Sequence, residues 1–98
     1  MAHEIHAVIG FEKVAPFTLR VRFEDATSQV IDFRPVLFGE VFGPLADPHF
    51  FDEVRIDEEA RTLVWPNGAD FDPATLYDWP TEGPRLATLA KSWASVPR

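Results

Sequence analysis

The side chains best suited to hold a metal ion or move a proton near neutral pH are three histidines and sixteen carboxylates. His3 and His6 bracket Glu4, but their odd separation puts them on opposite faces of a strand, so they are expected to be solvated. His49 stands before Phe50-Phe51, where a packed or surface imidazole is a simpler reading than a general base. The carboxylates gather as Glu24-Asp25, Asp52-Glu53, Asp57-Glu58-Glu59, Asp70 and Asp72. A glycosidase pair needs two carboxyls held a fixed distance apart in a cleft, whereas two of these clusters fall in expected turns. Ser28, Ser92 and Ser95 lack the context of a nucleophile elbow, and no glycine-rich phosphate loop or zinc-protease motif occurs. Without cysteine there is no disulfide, no thiolate metal site and no thiol nucleophile. No enzymatic activity, cofactor or metal site is expected.

What remains is one dense local motif, Trp65-Pro66-Asn67-Gly68-Ala69-Asp70. A structural role accounts for it: Trp65 anchors a strand end, Pro66 sets φ, Asn67-Gly68 makes the turn, and Asp70 accepts N–H groups of the turn or of a helix start. The functional alternative is a display loop. Its candidate ligand- or partner-binding residues are Trp65, Asn67 and Asp70, together with Trp93 near the C-terminus.

The elements that must position this motif are legible in the apolar spacing. Residues 5–17 are rich in β-branched and aromatic side chains and suit a strand closed by Pro16. Thr18 to Phe23 alternates, with Leu19, Val21 and Phe23 on one face, and Ser28 to Phe33 returns after the polar Glu24-Asp25-Ala26-Thr27 turn. Pro35 to Phe38 reads as one helical turn ended by Gly39. Asp47-Pro48 and Asp72-Pro73 each read as an N-cap and first helical residue. Val54-Arg55-Ile56 and Arg61 to Trp65 form a second hairpin around an acidic turn. After Gly83-Pro84, Leu86, Leu89, Ala90 and Trp93 follow the stripe of an amphipathic helix. The expected fold is α+β: a small antiparallel sheet of two hairpins plus an N-terminal strand, short helices between, and a C-terminal amphipathic helix. Residues 1–80 form one domain in this reading, and residues 81–98 a helix and tail that belong to it or to a dimer contact.

Nine Phe, three Trp and one Tyr supply the bulk for a core in 98 residues. Net charge is −7, divided as six Lys/Arg against fifteen Asp/Glu over residues 1–80 and three against one over residues 81–98. An acidic body repels phosphate backbones, so direct nucleic-acid binding is not expected. No apolar run approaches the length of a membrane span, and Met1-Ala2-His3-Glu4 opens no leader-like stretch, which makes a cytoplasmic location the expectation.

Two stretches, residues 33–45 and residues 65–73, together with the alternating hairpin before them, resemble a family of small bacterial proteins known as domain of unknown function 2442. The likeness covers roughly residues 5–80, and Trp65 to Asp70 is its most specific part. The resemblance implies a compact α+β fold. It also implies, for some members, an appended DNA-binding helix-turn-helix and genes beside toxin–antitoxin-like partners, but no catalytic residue. Only residues 81–98 follow the motif region here, room for one helix and not for a helix-turn-helix.

The favoured expectation is a non-enzymatic protein-interaction or regulatory domain, antitoxin-like, with a protein partner. One alternative is a ligand-binding or weakly catalytic domain using Trp65, Asn67 and Asp70 with His49. Another is a dimeric DNA-binding adaptor presenting Arg85, Lys91 and Arg98, although Arg85 and Lys91 do not share a helix face. A homodimer would use Trp79, Leu86, Leu89 and Trp93 as a self-complementary patch.

Overall fold

Alternation and turn chemistry build the first third of the chain. The computed structural model describes residues 6–95; Ile5, His3 and Arg98, which figure in the sequence reading, lie outside the described residues. Strands β1 (Val8–Ala15), β2 (Thr18–Phe23) and β3 (Ser28–Asp32) form an antiparallel sheet in the order β1-β2-β3. Leu19, Val21, Phe23 and Ile31 are buried on its core face, while Arg22, Ser28 and Val30 are exposed on the other. The β2–β3 pairing keeps one register from Thr18↔Asp32 to Arg22↔Ser28. The β1–β2 pairing shifts twice, between Val8 and Gly10 and between Lys13 and Ala15.

The β2–β3 turn has the chemistry its residues suggest. Asp25 Oδ1 accepts from the Thr27 N–H and hydroxyl at 3.0 and 2.6 Å, which ties the loop back on itself. The β1–β2 turn is less orthodox, because Phe17, a bulky residue, sits at φ 57° after Pro16. Its ring packs edge-on against Phe51, a tertiary contact that offsets the backbone cost.

A 3₁₀ turn over Arg34–Val36 follows, with Pro35 supplying helical φ. Helix α1 (Gly39–Phe42) comes next, then a 3₁₀ turn over Gly43–Ala46 and helix α2 (Pro48–Phe51). Asp47 caps α2 by accepting from the His49 N–H at 2.9 Å, as the Asp-Pro pair predicts. Gly39 does not end a helix as expected; it opens α1 at φ 85°. Its bare Cα also lies against Trp93, where a Cβ would come within 3.4 Å of the tryptophan Cβ.

Strands β4 (Arg55–Asp57) and β5 (Thr62–Val64) pair as a sheet of their own. Helix α3 (Pro73–Tyr77) is capped by Asp72, which accepts from the Ala74 N–H at 2.9 Å. The last helix, α4 (Trp79–Ser95), starts before Gly83-Pro84 and runs through it, contrary to the expected start. The reason is packing: a Cβ on Gly83 would come within 2.6 Å of the Trp79 indole, so the glycine is the slot that this ring occupies.

Helices α2 and α4, the end of β5 and the loop before α3 meet on Phe33, which is fully buried. Its ring lies 5.8 Å from Phe51 of α2, 6.0 Å from Trp65, 5.2 Å from Phe71 and 5.5 Å from Trp79 of α4. The Trp65 pair is edge-to-face and the other three are tilted, and aromatic pairs at such separations contribute about 0.5–1.5 kcal/mol each beyond the area they bury. Phe33→Ala is therefore expected to cost about 3–5 kcal/mol, a large share of the roughly 5–15 kcal/mol that a domain of this size retains. Urea unfolding followed by tryptophan fluorescence measures it; a loss below about 1 kcal/mol would remove Phe33 from the centre of the account. Gly83→Ala should cost about 1–3 kcal/mol despite alanine's better helix propensity, because the rigid indole has to move.

Candidate functional site

The Trp65–Asp70 motif folds as a tight turn at the end of β5. Gly68 N–H donates to the Trp65 carbonyl and Trp65 N–H to the Ala69 carbonyl, both at 2.9 Å, and Gly68 takes φ 87°. That is the pattern of a three-residue hairpin loop whose last member needs the left-handed region, hence glycine. The turn continues into an antiparallel bridge between Val64 and Asp70.

Each candidate residue of the motif has a different fate. Trp65 is only 1% exposed, and its indole N–H donates to the Phe51 carbonyl at 2.9 Å. A role for Trp65 in contacting a partner is thus corrected: ring and donor are both used inside the core. Asn67 is exposed, yet its amide is committed at both ends. Nδ2 donates to the Val41 carbonyl at 2.9 Å, 26 residues away, and Oδ1 accepts from the Ala69 N–H at 3.1 Å. The structural role expected of Asp70 is also corrected. Its side chain accepts no hydrogen bond among the described residues; Asn67 holds the turn and Asp72 caps the helix.

Asn67 fastens the turn to α1, and α1 is fastened to α4. Phe42 stacks on Phe71 at 4.8 Å and on Trp93 at 6.0 Å, and Gly39 admits the Trp93 side chain. The structure therefore brings Asn67 and Trp93 to the same corner through α1, a link across the chain that nothing in the local spacing announces. At this corner Phe38 and Val41 on or beside α1, and Leu89 one turn before Trp93, remain exposed, Val41 at 51% and Leu89 at 53%. Of the expected dimer patch, Trp79 and Leu86 pack partly against the core and Trp93 against Phe42, so these three are half-buried and Leu89 is exposed.

The polar candidates are dispersed. His49 is exposed beside the cap of α2. Arg85 pairs with Glu82 on its own helix at 3.3 Å, a contact of little energetic weight at the surface. His6 stacks on Tyr77 with ring centres 3.8 Å apart, and the Tyr77 hydroxyl donates to Asp25. Beside His6 runs an open groove of about 510 Å³ lined by Asp72, Thr75, Asp78 and Glu82. Among the described residues no three His, Asp or Glu side chains converge as metal ligands, and every buried side-chain polar atom has a partner.

One carboxyl stands out electrostatically. Hydrogen bonds from the Thr27 side chain, the Tyr77 hydroxyl and the Thr27 N–H stabilise ionised Asp25 and pull its pKa down to about 2. Asp32 is also lowered, first by hydrogen bonds from the Arg34 guanidinium, which grips it at 2.6 to 3.2 Å.

Residues 10–82 match the family described as "Protein of unknown function (DUF2442)", well over half of the chain, and the chain belongs to that family. Neither the curated proteins nor the solved structures contain a match.

Two measurements test the roles assigned here. Asn67→Ala should destabilise by about 1–2 kcal/mol, since it strands the Val41 carbonyl and frees the turn, while Asp70→Ala stays within about 0.5 kcal/mol. At about 4–8 °C per kcal/mol the two melting temperatures separate clearly; equal losses would contradict the assignment. For Asp25 the folded chain is more acidic than the unfolded one. Its contribution is complete above about pH 4 and disappears as pH falls toward 2. Tyr77→Phe should raise the Asp25 pKa toward the ordinary carboxylate range, read by carboxyl NMR titration; an unchanged value would show the hydroxyl bond to be inert.

Proposed function

We propose that this DUF2442 member is a non-enzymatic protein-interaction module, regulatory and antitoxin-like, that receives its partner at the corner formed by α1, the end of α4 and the Asn67-Gly68 turn tip. The observation that carries this reading is the run of exposed Phe38, Val41 and Leu89 beside half-buried Phe42 and Trp93. Single apolar surface residues need no explanation, but exposed ones carried on two elements joined by the Phe42–Trp93 stack suit a docking surface. A catalytic reading through Trp65 and Asn67 has less support, because the polar groups of both are consumed by the fold.

The net charge of −7 suits a basic partner, drawn in by long-range attraction and then held by the apolar corner. Asp70 and Glu40, both exposed, supply acidic groups on the turn and on α1. A cytoplasmic location belongs to the same proposal. Among the described residues no helix is long and apolar enough to cross a membrane.

Co-purification of the tagged chain with the products of the genes adjoining its own tests this reading. A partner should be retained, and Val41→Asp combined with Leu89→Asp should weaken its binding at least tenfold without lowering the melting temperature, since both side chains are half exposed. Binding should also weaken as salt is raised. Retention of the partner by the double variant would place the docking surface elsewhere.

A further inference from the structure

The two edges of the β1-β2-β3 sheet are finished differently. On the β1 side the register is broken twice, the Val8 N–H donates to the Arg61 carbonyl at 3.0 Å, and Lys13 is tied to Asp52 at 3.0 Å. These are devices that keep a strand from recruiting another. On the β3 side none of them operates. Phe33 N–H donates to the Phe17 carbonyl and Phe23 N–H to the Thr27 carbonyl, both at 2.9 Å and both in register with the β2–β3 ladder. Antiparallel alternation then turns Gln29 and Ile31 toward β2 and turns the main-chain groups of Ser28, Val30 and Asp32 outward.

Those outward N–H and C=O groups have no hydrogen-bond partner among the described residues. The strand carries no proline, no lysine and no bulge, and its single charge, Asp32, is matched by Arg34 at 2.6 Å. Helix α3 meets β3 from the core side, where Gln29 Nε2 donates to the Tyr77 carbonyl at 2.7 Å. Ser28 is exposed, and Val30, at 57%, is more exposed than the other large apolar side chains described.

We propose that β3 pairs along this edge with β3 of a second copy of the chain, antiparallel about a two-fold axis at Val30, joining the two three-stranded sheets into one. The strand is self-complementary in that register and in no other. Centring on Val30 pairs all three outward residues of each copy: Val30 meets the partner's Val30, and Ser28 meets the partner's Asp32, hydroxyl facing carboxylate. A slip of one residue sets outward groups against inward ones, and a slip of two leaves an end unpaired. Strand pairing alone buries less than the roughly 1,200–2,000 Å² of a standard interface, so the dimer forms at high concentration. Both copies carry −7, so screening their repulsion with salt strengthens it, the opposite of the response expected for a basic partner at the α1–α4 corner.

Sedimentation equilibrium from micromolar to millimolar chain, at low and high salt, decides the matter. The wild-type mass should rise from 11.1 kDa toward twice that value, and more readily in high salt. Val30→Pro deletes an N–H that the β2–β3 ladder does not use, and Val30→Lys opposes like charges at the axis; both should stay monomeric with unchanged circular dichroism. If the proline variant unfolds, the lysine variant decides alone. The combined Val41→Asp and Leu89→Asp variant should still dimerise. A wild type that stays at 11.1 kDa throughout, leaving the edge to a foreign strand or to none, overturns the proposal. So do Val30 variants that assemble like wild type, or a dimer dissolved by the Val41 and Leu89 changes.

Discussion

The architecture depends on the burial of one ring. Phe33 leaves the end of β3 and enters a cage of Phe51, Trp65, Phe71 and Trp79, contributed by α2, the end of β5, the loop before α3, and α4. Helix α2 is a single turn of four residues and β5 a strand of three, and neither would persist in water as an isolated piece. Each is held because it delivers an aromatic side chain to the same place. A chain with thirteen aromatic residues in 98 can fold this way because each ring buries a large area for little conformational entropy.

The same constraint assigns the polar groups. With Trp65 fixed in the cage, its indole N–H must find a partner or be stranded, and the Phe51 carbonyl supplies one. With the turn fixed behind it, Asn67 reaches the Val41 carbonyl and locks α1 against the hairpin. Phe42 and Gly39 then define where Trp93 lies. The motif thus works from the inside outward, as a corner bracket whose surface consequence is the apolar rim on α1 and α4. Its most chemical-looking members are the least available to a substrate, and the free carboxylate of Asp70 is left on the outside.

Much of the local structure was readable from short-range rules. The alternation of Leu19, Val21 and Phe23, the two Asp-Pro caps and the Asn67-Gly68 turn depend on contacts within a few residues, and the structure has each of them. Other features failed that reading for identifiable reasons. Phe17 occupies a positive-φ turn position that favours glycine or asparagine, because its ring has a distant home on Phe51. Gly83 looked like a break and proved to be clearance for Trp79; Gly39 looked like a stop and proved to be clearance for Trp93. In each case a tertiary contact outweighed a local preference.

Residue types and their order by themselves determined the α+β character, the two hairpins, the helix starts, the acidic charge and the likeness carried by Trp65 to Asp70. Periodicity, capping and composition are properties of neighbours along the chain, and they survive whatever the rest of the molecule does. Only the tertiary structure decided that Trp65 is interior, that Asn67 grips a carbonyl 26 residues away, that the stripe of α4 packs mostly on its own chain, and that β3 keeps an open edge. Those outcomes follow from which rings share the cage around Phe33, a choice made by shape and close packing among residues far apart in sequence.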